Sequence, residues 1–356
     1  MLEPKPISCI ELFLPCESLY SPEVESAESA GSFLMIETTD ALHEAILTEA
    51  LAGLSSTPKT LPPWLFYDEA GSALFEKITE LAEYYLTRAE RSIFAERAEE
   101  IISSVGHPLT IAELGSGTAS KTGLLLAAAA RRQPRVLYQP IDVSPSALEQ
   151  AAENLPKEIP GVVVRPQIAN YITNGYTIER PDDGFILALY IGSSIGNFGP
   201  EEARAILRKL RKQLKKTADA ILLGVDLAPN CNKTVEQLIA AYDDAAGVTA
   251  AFNKNILARL NRELGADFNL DAFRHRAYFN PQDSRIEMHL VSTIAQTVTI
   301  EGKRITFAPG ESIHTENSYK FTERALIELL RDSGYSAPQW FQGSDNHFAV
   351  ALAYPA

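Results

Sequence analysis

The sequence predicts an α/β fold built on a doubly wound parallel sheet, and three observations predict it. Strand-like and helix-like segments alternate from Leu109 to Asp226 at the lengths of βαβ units. The first strand runs into a glycine turn, Gly115-Ser-Gly117-Thr, and then an apolar helix with Leu124, Leu125 and Leu126. The second ends in an acid, Asp142, about 25 residues after that turn. Strand, turn and helix start form a shelf where backbone N–H groups can approach a nucleotide-like cofactor. The spacing is GxGxxS, so the third glycine of the dinucleotide fingerprint is missing and NAD is disfavoured. An ordinary βα turn using glycine for a positive φ would leave the same trace.

Five strands are expected in this stretch: Leu109–Leu114, Val136–Ile141, Gly161–Ile168, Gly184–Tyr190 and Ala220–Asp226. Between them lie helices at Ser146–Asn154 and Pro200–Lys215, the latter with Ile206, Leu207, Leu210 and Leu214 inward. The rhythm changes after Pro229. Residues 230–262 read as helical throughout, and 284–307 as an antiparallel pair turning at Glu301-Gly302. It then resumes with Thr322 as N-cap, Ala325, Leu326, Leu329 and Leu330 inward, and Gly334 as the stop. Two closing strands, Pro338–Phe341 and Phe348–Tyr354, make seven.

Upstream, apolar spacing gives a helix over Thr39–Leu54, capped by Thr39 or Asp40. A second short helix carries Leu74 and Ile78, and a capping box from Thr87 to Glu90 launches another. The organisation expected is an extension over 1–34, which Met35 could replace as the start, and helical segments over 35–100. A cofactor-binding core follows over 101–229 and 320–356, with an insertion over 230–319.

Composition narrows the function. At 356 residues there is ample chain for a core. With 32 basic against 46 acidic side chains the net charge is −14, which suits a soluble enzyme and not a nucleic-acid binder. Cys9, Cys16 and Cys231 are too few and too scattered for disulfides or a CxxC metal site. No apolar run reaches the roughly 18 residues of a membrane span, and no basic segment precedes a long apolar one as in a signal peptide. A monomeric cytoplasmic protein is expected. The six histidines fall in different elements without metal-ligand spacing, so no metal is expected. The run Arg204, Arg208, Lys209, Arg211, Lys212, Lys215, Lys216 reads as a solvated helix face.

Several residues carry candidate chemistry. Asp142 suits ribose hydroxyls ahead of the alternative, a helix N-cap. Asn170-Tyr171 follows the third strand, where an adenine would rest. Gly192-Ser-Ser-Ile-Gly-Asn197 lies beyond the fourth strand, where open α/β sheets bind ligands, and Asn197 can both donate and accept. The tyrosines of Tyr67–Tyr85 suit either packing or the walls of a cation site.

Five strings, read together, resemble one family. They are Tyr67-Asp-x-x-Gly71-Ser-x-Leu-Phe-Glu, Tyr84-Tyr85-x-Thr-Arg-x-Glu90, Glu113-Leu-Gly-Ser-Gly-Thr, Gly192-Ser-Ser-Ile-Gly-Asn197 and Tyr242-Asp-Asp-x-x-Gly-Val-Thr-x-x-Phe-Asn253. The chain from about residue 40 to its end is similar to the L-histidine Nα-methyltransferases of ergothioneine biosynthesis, class I S-adenosylmethionine-dependent methyltransferases. The resemblance implies a seven-stranded Rossmann-like sheet with an α+β substrate-binding domain. It implies S-adenosylmethionine as co-substrate, L-histidine as substrate and hercynine, the trimethylated amine, as product. Cofactor contacts fall on Gly115, Lys121, Asp142, Asn170 and Tyr171, although the family usually has an acid where Asn170 stands. Carboxylate and amine contacts fall on Tyr84, Gly192, Asn197 and Tyr242, with Tyr67 close to the amine as the catalytic residue. Imidazole contacts fall on Met288, Glu316 and Ser318; without the resemblance, Thr315–Ser318 reads as a solvated loop. Two other functions fit less well. Methylation of another aromatic amino acid or amine would leave Glu316 and Ser318 without a purpose. A nicotinamide oxidoreductase would need the missing glycine.

Overall fold

The computed structural model describes residues 42–172, 175–181 and 183–356. The chain divides into two units, Met1–Ala45 and Ile46–Ala356. Of the first, residues 42–45 are described and are helical; the extension expected over 1–34 and the caps at Thr39 or Asp40 lie outside the described residues.

The elements begin with helix α1 (residues 42–55), β1 (Lys59–Thr60), a 3-10 turn at Pro63–Phe66, α2 (Glu69–Glu80) and α3 (Leu86–Ser103). The alternating stretch is β2 (Leu109–Leu114), α4 (Gly123–Ala130), β3 (Val136–Asp142), α5 (Pro145–Glu158), β4 (Val162–Val164), β5 (Gln167–Ile168) and β6 (Phe185–Tyr190). A 3-10 turn at Ser194–Asn197, α6 (Pro200–Arg211) and β7 (Ala220–Asp226) complete it. Then come α7 (Val235–Ala240), α8 (Val248–Leu264), β8 (Phe273–Asn280), β9 (Arg285–Ser292), β10 (Gln296–Ile300), β11 (Lys303–Phe307) and β12 (Ser312–Tyr319). The last elements are α9 (Glu323–Asp332), β13 (Gln339–Gln342) and β14 (Phe348–Ala353).

The large sheet has the order β13-β14-β7-β6-β2-β3-β4, with β5 also beside β3. Strand β14 runs antiparallel to both neighbours, and the pairs among β7, β6, β2, β3, β4 and β5 are parallel. This is the seven-position, doubly wound class I methyltransferase sheet. The third expected strand is split into β4 and β5 around Pro166, which has no N–H for the ladder. Both faces are covered, so strand residues are apolar on each side: Leu187 and Leu189 of β6 join one buried cluster, and Ile186, Ala188 and Tyr190 the other. Each such Leu or Ile contributes about 1.5–3 kcal/mol by leaving water.

A second sheet has the order β1-β12-β9-β8, and β10–β11 form a separate hairpin. Here the sequence reading needs correction. The helix expected over 230–262 is interrupted between α7 and α8, where Gly247 takes φ +73° and Asp244 accepts the Val248 and Thr249 N–H groups. The Glu301-Gly302 turn joins β10 to β11, whereas β9 pairs with β8 and β12 in the other sheet. The stretch taken as a solvated loop, Thr315–Ser318, lies inside β12. Thr87 and Glu90 form no capping box: α3 starts at Leu86 without a side-chain cap, and Glu90 is buried. Ala325 is exposed, although Leu326, Leu329 and Leu330 are buried as expected. In the basic run, Arg208 donates to the Asp332 carbonyl and Arg211 to that of Gly334, so this face is not wholly solvated.

A β-bulge in β12 orients the polar strand. Ile313 opposes Leu290 of β9 and both are buried, but the next pairs are Glu316 with Met288 and Ser318 with Ile286. The register shifts between His314 and Glu316, leaving Thr315 as the extra residue. Because side chains alternate, that one residue moves the inward set from odd to even positions. Glu316 and Ser318 therefore share a face with Met288, and His314 and Asn317 take the other with His289 and Glu287.

Candidate active site

The cofactor shelf is built at the ends of β2 and β3. Gly115 and Gly117 take φ of +66° and +52°, values that favour glycine, and no atom lies within 4 Å of where a Gly117 Cβ would sit. Asp142 holds the turn: its Oδ2 accepts the Gly117 N–H at 2.8 Å and its Oδ1 the Ser144 N–H at 2.9 Å. The N-cap of α5 is Ser144, so the alternative of Asp142 as a cap falls away. Tyr171 packs 3.6 Å from the Gly115 Cβ position, and Asn170 accepts the Ile172 N–H at 3.0 Å. The Ser116 Oγ is buried in this turn with no hydrogen-bond partner among the described residues. Glu113, under the turn, accepts hydrogen bonds from Tyr138 and Thr122, and burial pushes its carboxyl up to about 7.

These residues line a cleft of about 1050 Å³ that holds Gly115, Lys121, Asp142, Asn170 and Tyr171. A smaller cavity of about 50 Å³ holds Tyr242, Met288 and Ser318. Tyr67, Tyr84, Gly192, Asn197 and Glu316 line both and form the neck between them. All thirteen residues singled out in the sequence thus line one or both of two adjoining cavities. The shape and polarity suit a nucleoside cofactor. An open glycine turn and a carboxylate beside it are available to such a ligand.

The neck is aromatic. Tyr67 contacts Phe75 and Phe252 edge-on at 5.8 and 5.9 Å between centroids, Phe75 contacts Tyr84, and Tyr84 contacts Tyr242 at 6.1 Å. Burial, followed by the charge of Glu316, pushes the Tyr67 hydroxyl well above its ordinary range, so it stays a phenol. Arg88 donates to the carbonyls of Leu81, Ala82 and Tyr84 and fixes the loop that presents Tyr84. Burial raises the Glu316 carboxyl to about 7, with the Lys320 charge as the opposing influence.

Sequence reasoning missed a buried polar framework around these residues. Glu90 accepts the Gly192 N–H at 2.8 Å and the Lys121 ammonium at 2.7 Å, and so ties the turn after β2 to the turn after β6. Asn253 donates to His275 Nδ1, His275 Nε2 faces the Tyr242 carbonyl, and the Thr315 hydroxyl donates to Asn253 Oδ1. This chain links Tyr242 to the bulge. Beneath the small cavity, Asp226 pairs with Lys233 and Lys320. Burial opposes ionisation of Asp226, but the two lysines outweigh it and hold its carboxyl below the usual range. Glu90 and Asn253 stood inside the recognised strings, but nothing in their spacing marked them as inward.

His289 and His314 lie in different elements, as expected, but the fold brings them together. They stack at 4.7 Å on adjacent strands, and with Glu287 they bring potential ligand atoms within 4.8 Å of one another. The Glu287 carboxylate is engaged by Arg285, Asn280 and Tyr278, and these bonds hold it down at about 2 against the effect of burial.

Among the described residues no helix is long and apolar enough to cross a membrane. Comparison with known proteins places these features in context. The family model for histidine-specific, SAM-dependent methyltransferases matches residues 46–355. Histidine N-alpha-methyltransferase of Mycolicibacterium smegmatis is 40% identical over 316 residues, covering 88% of this chain and 96% of that protein. Its counterpart from Mycobacterium tuberculosis is 39% identical over the same shares. Ergothioneine biosynthesis protein 1 of Neurospora crassa is 31% identical over 306 residues, covering 81% of this chain and 32% of that larger protein. With its sheet order and almost its whole length matched, the chain belongs to the histidine-specific, S-adenosylmethionine-dependent methyltransferase family.

Proposed function

We propose that the protein transfers three methyl groups from S-adenosylmethionine to the α-amino nitrogen of L-histidine, giving hercynine for ergothioneine biosynthesis. The observation that carries the reading is the paired space: a cleft with the glycine turn and Asp142, joined through Tyr67, Tyr84, Gly192 and Asn197 to a ring-sized cavity walled by Met288, Glu316 and Ser318. In this reading Gly115, Lys121, Asp142, Asn170 and Tyr171 hold the cofactor. The α+β part around the four-stranded sheet holds the substrate.

When bound, the cofactor supplies a methyl group on a sulfonium. Displacement at that carbon needs an aligned amine lone pair and no Lewis acid, because the leaving thioether is neutral. Asn197 and Tyr84 orient the amino-acid end, and the Tyr67 phenol orients the amine. The ammonium proton goes to water, since Tyr67 is kept a phenol by burial. Glu316 and Ser318 hold the two ring nitrogens, and a Phe or Leu side chain would leave them unpaired at about 1–3 kcal/mol each. The aromatic neck attracts the growing cation by about 0.5–2 kcal/mol. The acidic charge and the small-molecule cleft fit a cytoplasmic enzyme acting as a monomer, without nucleic acid or membrane partners.

Mass spectrometry of histidine incubated with the protein and S-adenosylmethionine is expected to show products with one, two and three added methyls. Glu316→Ala should lower kcat/KM for histidine about tenfold to several-hundredfold and leave S-adenosylhomocysteine affinity unchanged. Full histidine turnover by that variant would refute the ring assignment.

A further inference from the structure

Lys320, one residue past β12, has a fully buried ammonium. It lies 2.8 Å from Asp226 Oδ2, 2.9 Å from the Tyr242 hydroxyl and 2.9 Å from the Ser318 hydroxyl. An ammonium has three protons, and these three oxygens take all of them. The two hydroxyls are themselves 2.7 Å apart. Around this group stand Asp226 from β7, Lys233 after β7, Tyr85 bonded to Asp226, Tyr242 after α7 and Glu316 from β12. Burial works against the Lys320 charge, and Asp226 and Glu316 support it.

The count of protons and lone pairs leaves two arrangements. Each hydroxyl has one proton and two lone pairs, and each gives a lone pair to Lys320. One proton is then used between the two oxygens, and either hydroxyl can give it. When Tyr242 gives it, the Ser318 oxygen accepts twice, which leaves only its own proton for the cavity. Two residues back on the same face, ionised Glu316 can only accept. A ring placed between them meets one fixed donor and one fixed acceptor. A neutral imidazole in a single tautomer satisfies both. An imidazolium would set an N–H against a serine oxygen that has no lone pair left.

We propose that Tyr242 gives its proton to Ser318 and that Lys320 is the positioning residue which, with it, fixes Ser318 as a hydrogen-bond donor and so makes the ring site selective for neutral imidazole in one tautomer. The inference rests on the assignment of Glu316 and Ser318 to the imidazole.

The test uses ring ¹⁵N-labelled histidine bound to the full chain with S-adenosylhomocysteine at about pH 7.5, where Glu316 is largely ionised and would hold an unconstrained ring as the imidazolium. The expected spectrum has one protonated and one unprotonated ring nitrogen; two protonated nitrogens in the unaltered protein would overturn the inference. Lys320→Met removes the donor that commits the serine. It is expected to weaken histidine binding roughly tenfold and to admit the charged ring. A variant that retains the single neutral tautomer would equally overturn it. Should this variant not fold, the spectrum of the unaltered protein still decides. Ser318→Ala and Glu316→Ala separate the two levels: if both leave histidine affinity unchanged, the ring assignment itself fails. If they weaken it while Lys320→Met leaves the spectrum unaltered, only the role of Lys320 fails.

Discussion

Glu316 and Glu113 are carboxyls raised to about 7 by burial, from an ordinary value of 4.5. The sign of their effect on stability follows from that direction. A raised carboxyl means that the folded protein holds a proton the unfolded chain has released, between the ordinary value and about 7. Stability from these groups is therefore greatest at low pH and declines as pH rises through that window. Glu113→Gln, which keeps an acceptor for Tyr138 and Thr122, should raise the melting temperature relative to the parent more at about pH 8 than at about pH 5. Catalysis runs the other way. Glu316 must be ionised to accept the ring N–H, so kcat/KM for histidine should climb through pH of about 7. Glu316→Gln should lose that inflection and keep the limbs set by the substrate's own imidazole, at about 6.5 when free, and by its amine, as pH–rate profiles of the two proteins would show.

At the scale of elements, one missing side chain makes room for the carboxylate that joins both halves of the site. A Cβ on Gly224 of β7 would lie 2.1 Å from Glu90 Oε1. Gly224→Ala should cost about 1–3 kcal/mol of stability and weaken both S-adenosylhomocysteine and histidine, because Glu90 serves Lys121 and Gly192 together. Isothermal titration and thermal melts would measure the two effects. Strands β2, β3, β6 and β7 were legible in the sequence because they are buried on both faces and read as apolar runs. Strands β8 and β12 were not. Their inward positions include His275, Glu316 and Ser318, which serve a polar cavity and a buried hydrogen-bond chain, so the apolar period of two is absent. The cofactor turn could be read locally from its glycines. The roles of Glu316, Ser318 and Tyr242 came from resemblance alone, since their chemistry depends on strands brought together from distant parts of the chain. Glu90 showed a helix-start spacing and was misread, because spacing does not report which way a side chain faces.

On the scale of the molecule, the cleft draws on β2, β3 and the turn after β6 of the large sheet, on β12 of the second sheet and on the segment from α1 to α3, so a ligand there touches both sheets. S-adenosylhomocysteine at a hundred times its Kd should stabilise the folded chain by about 2.7 kcal/mol. For a unit of this size the melting temperature should rise by a few degrees. Lys121→Met should reduce that gain and raise the ligand's Kd, and it should also lower the melting temperature of the free protein, since it leaves the buried Glu90 carboxylate without its counter-charge.

One codon in this strand can come or go without turning its face. Deleting Thr315 keeps the reading frame and every other residue, and it leaves His314 followed directly by Glu316, so plain alternation still sets Glu316 and Ser318 beside Met288 and His314 and Asn317 on the other side. A lineage can thus shed or acquire the bulge in a single inherited in-frame event while the set of side chains on each face passes on unchanged.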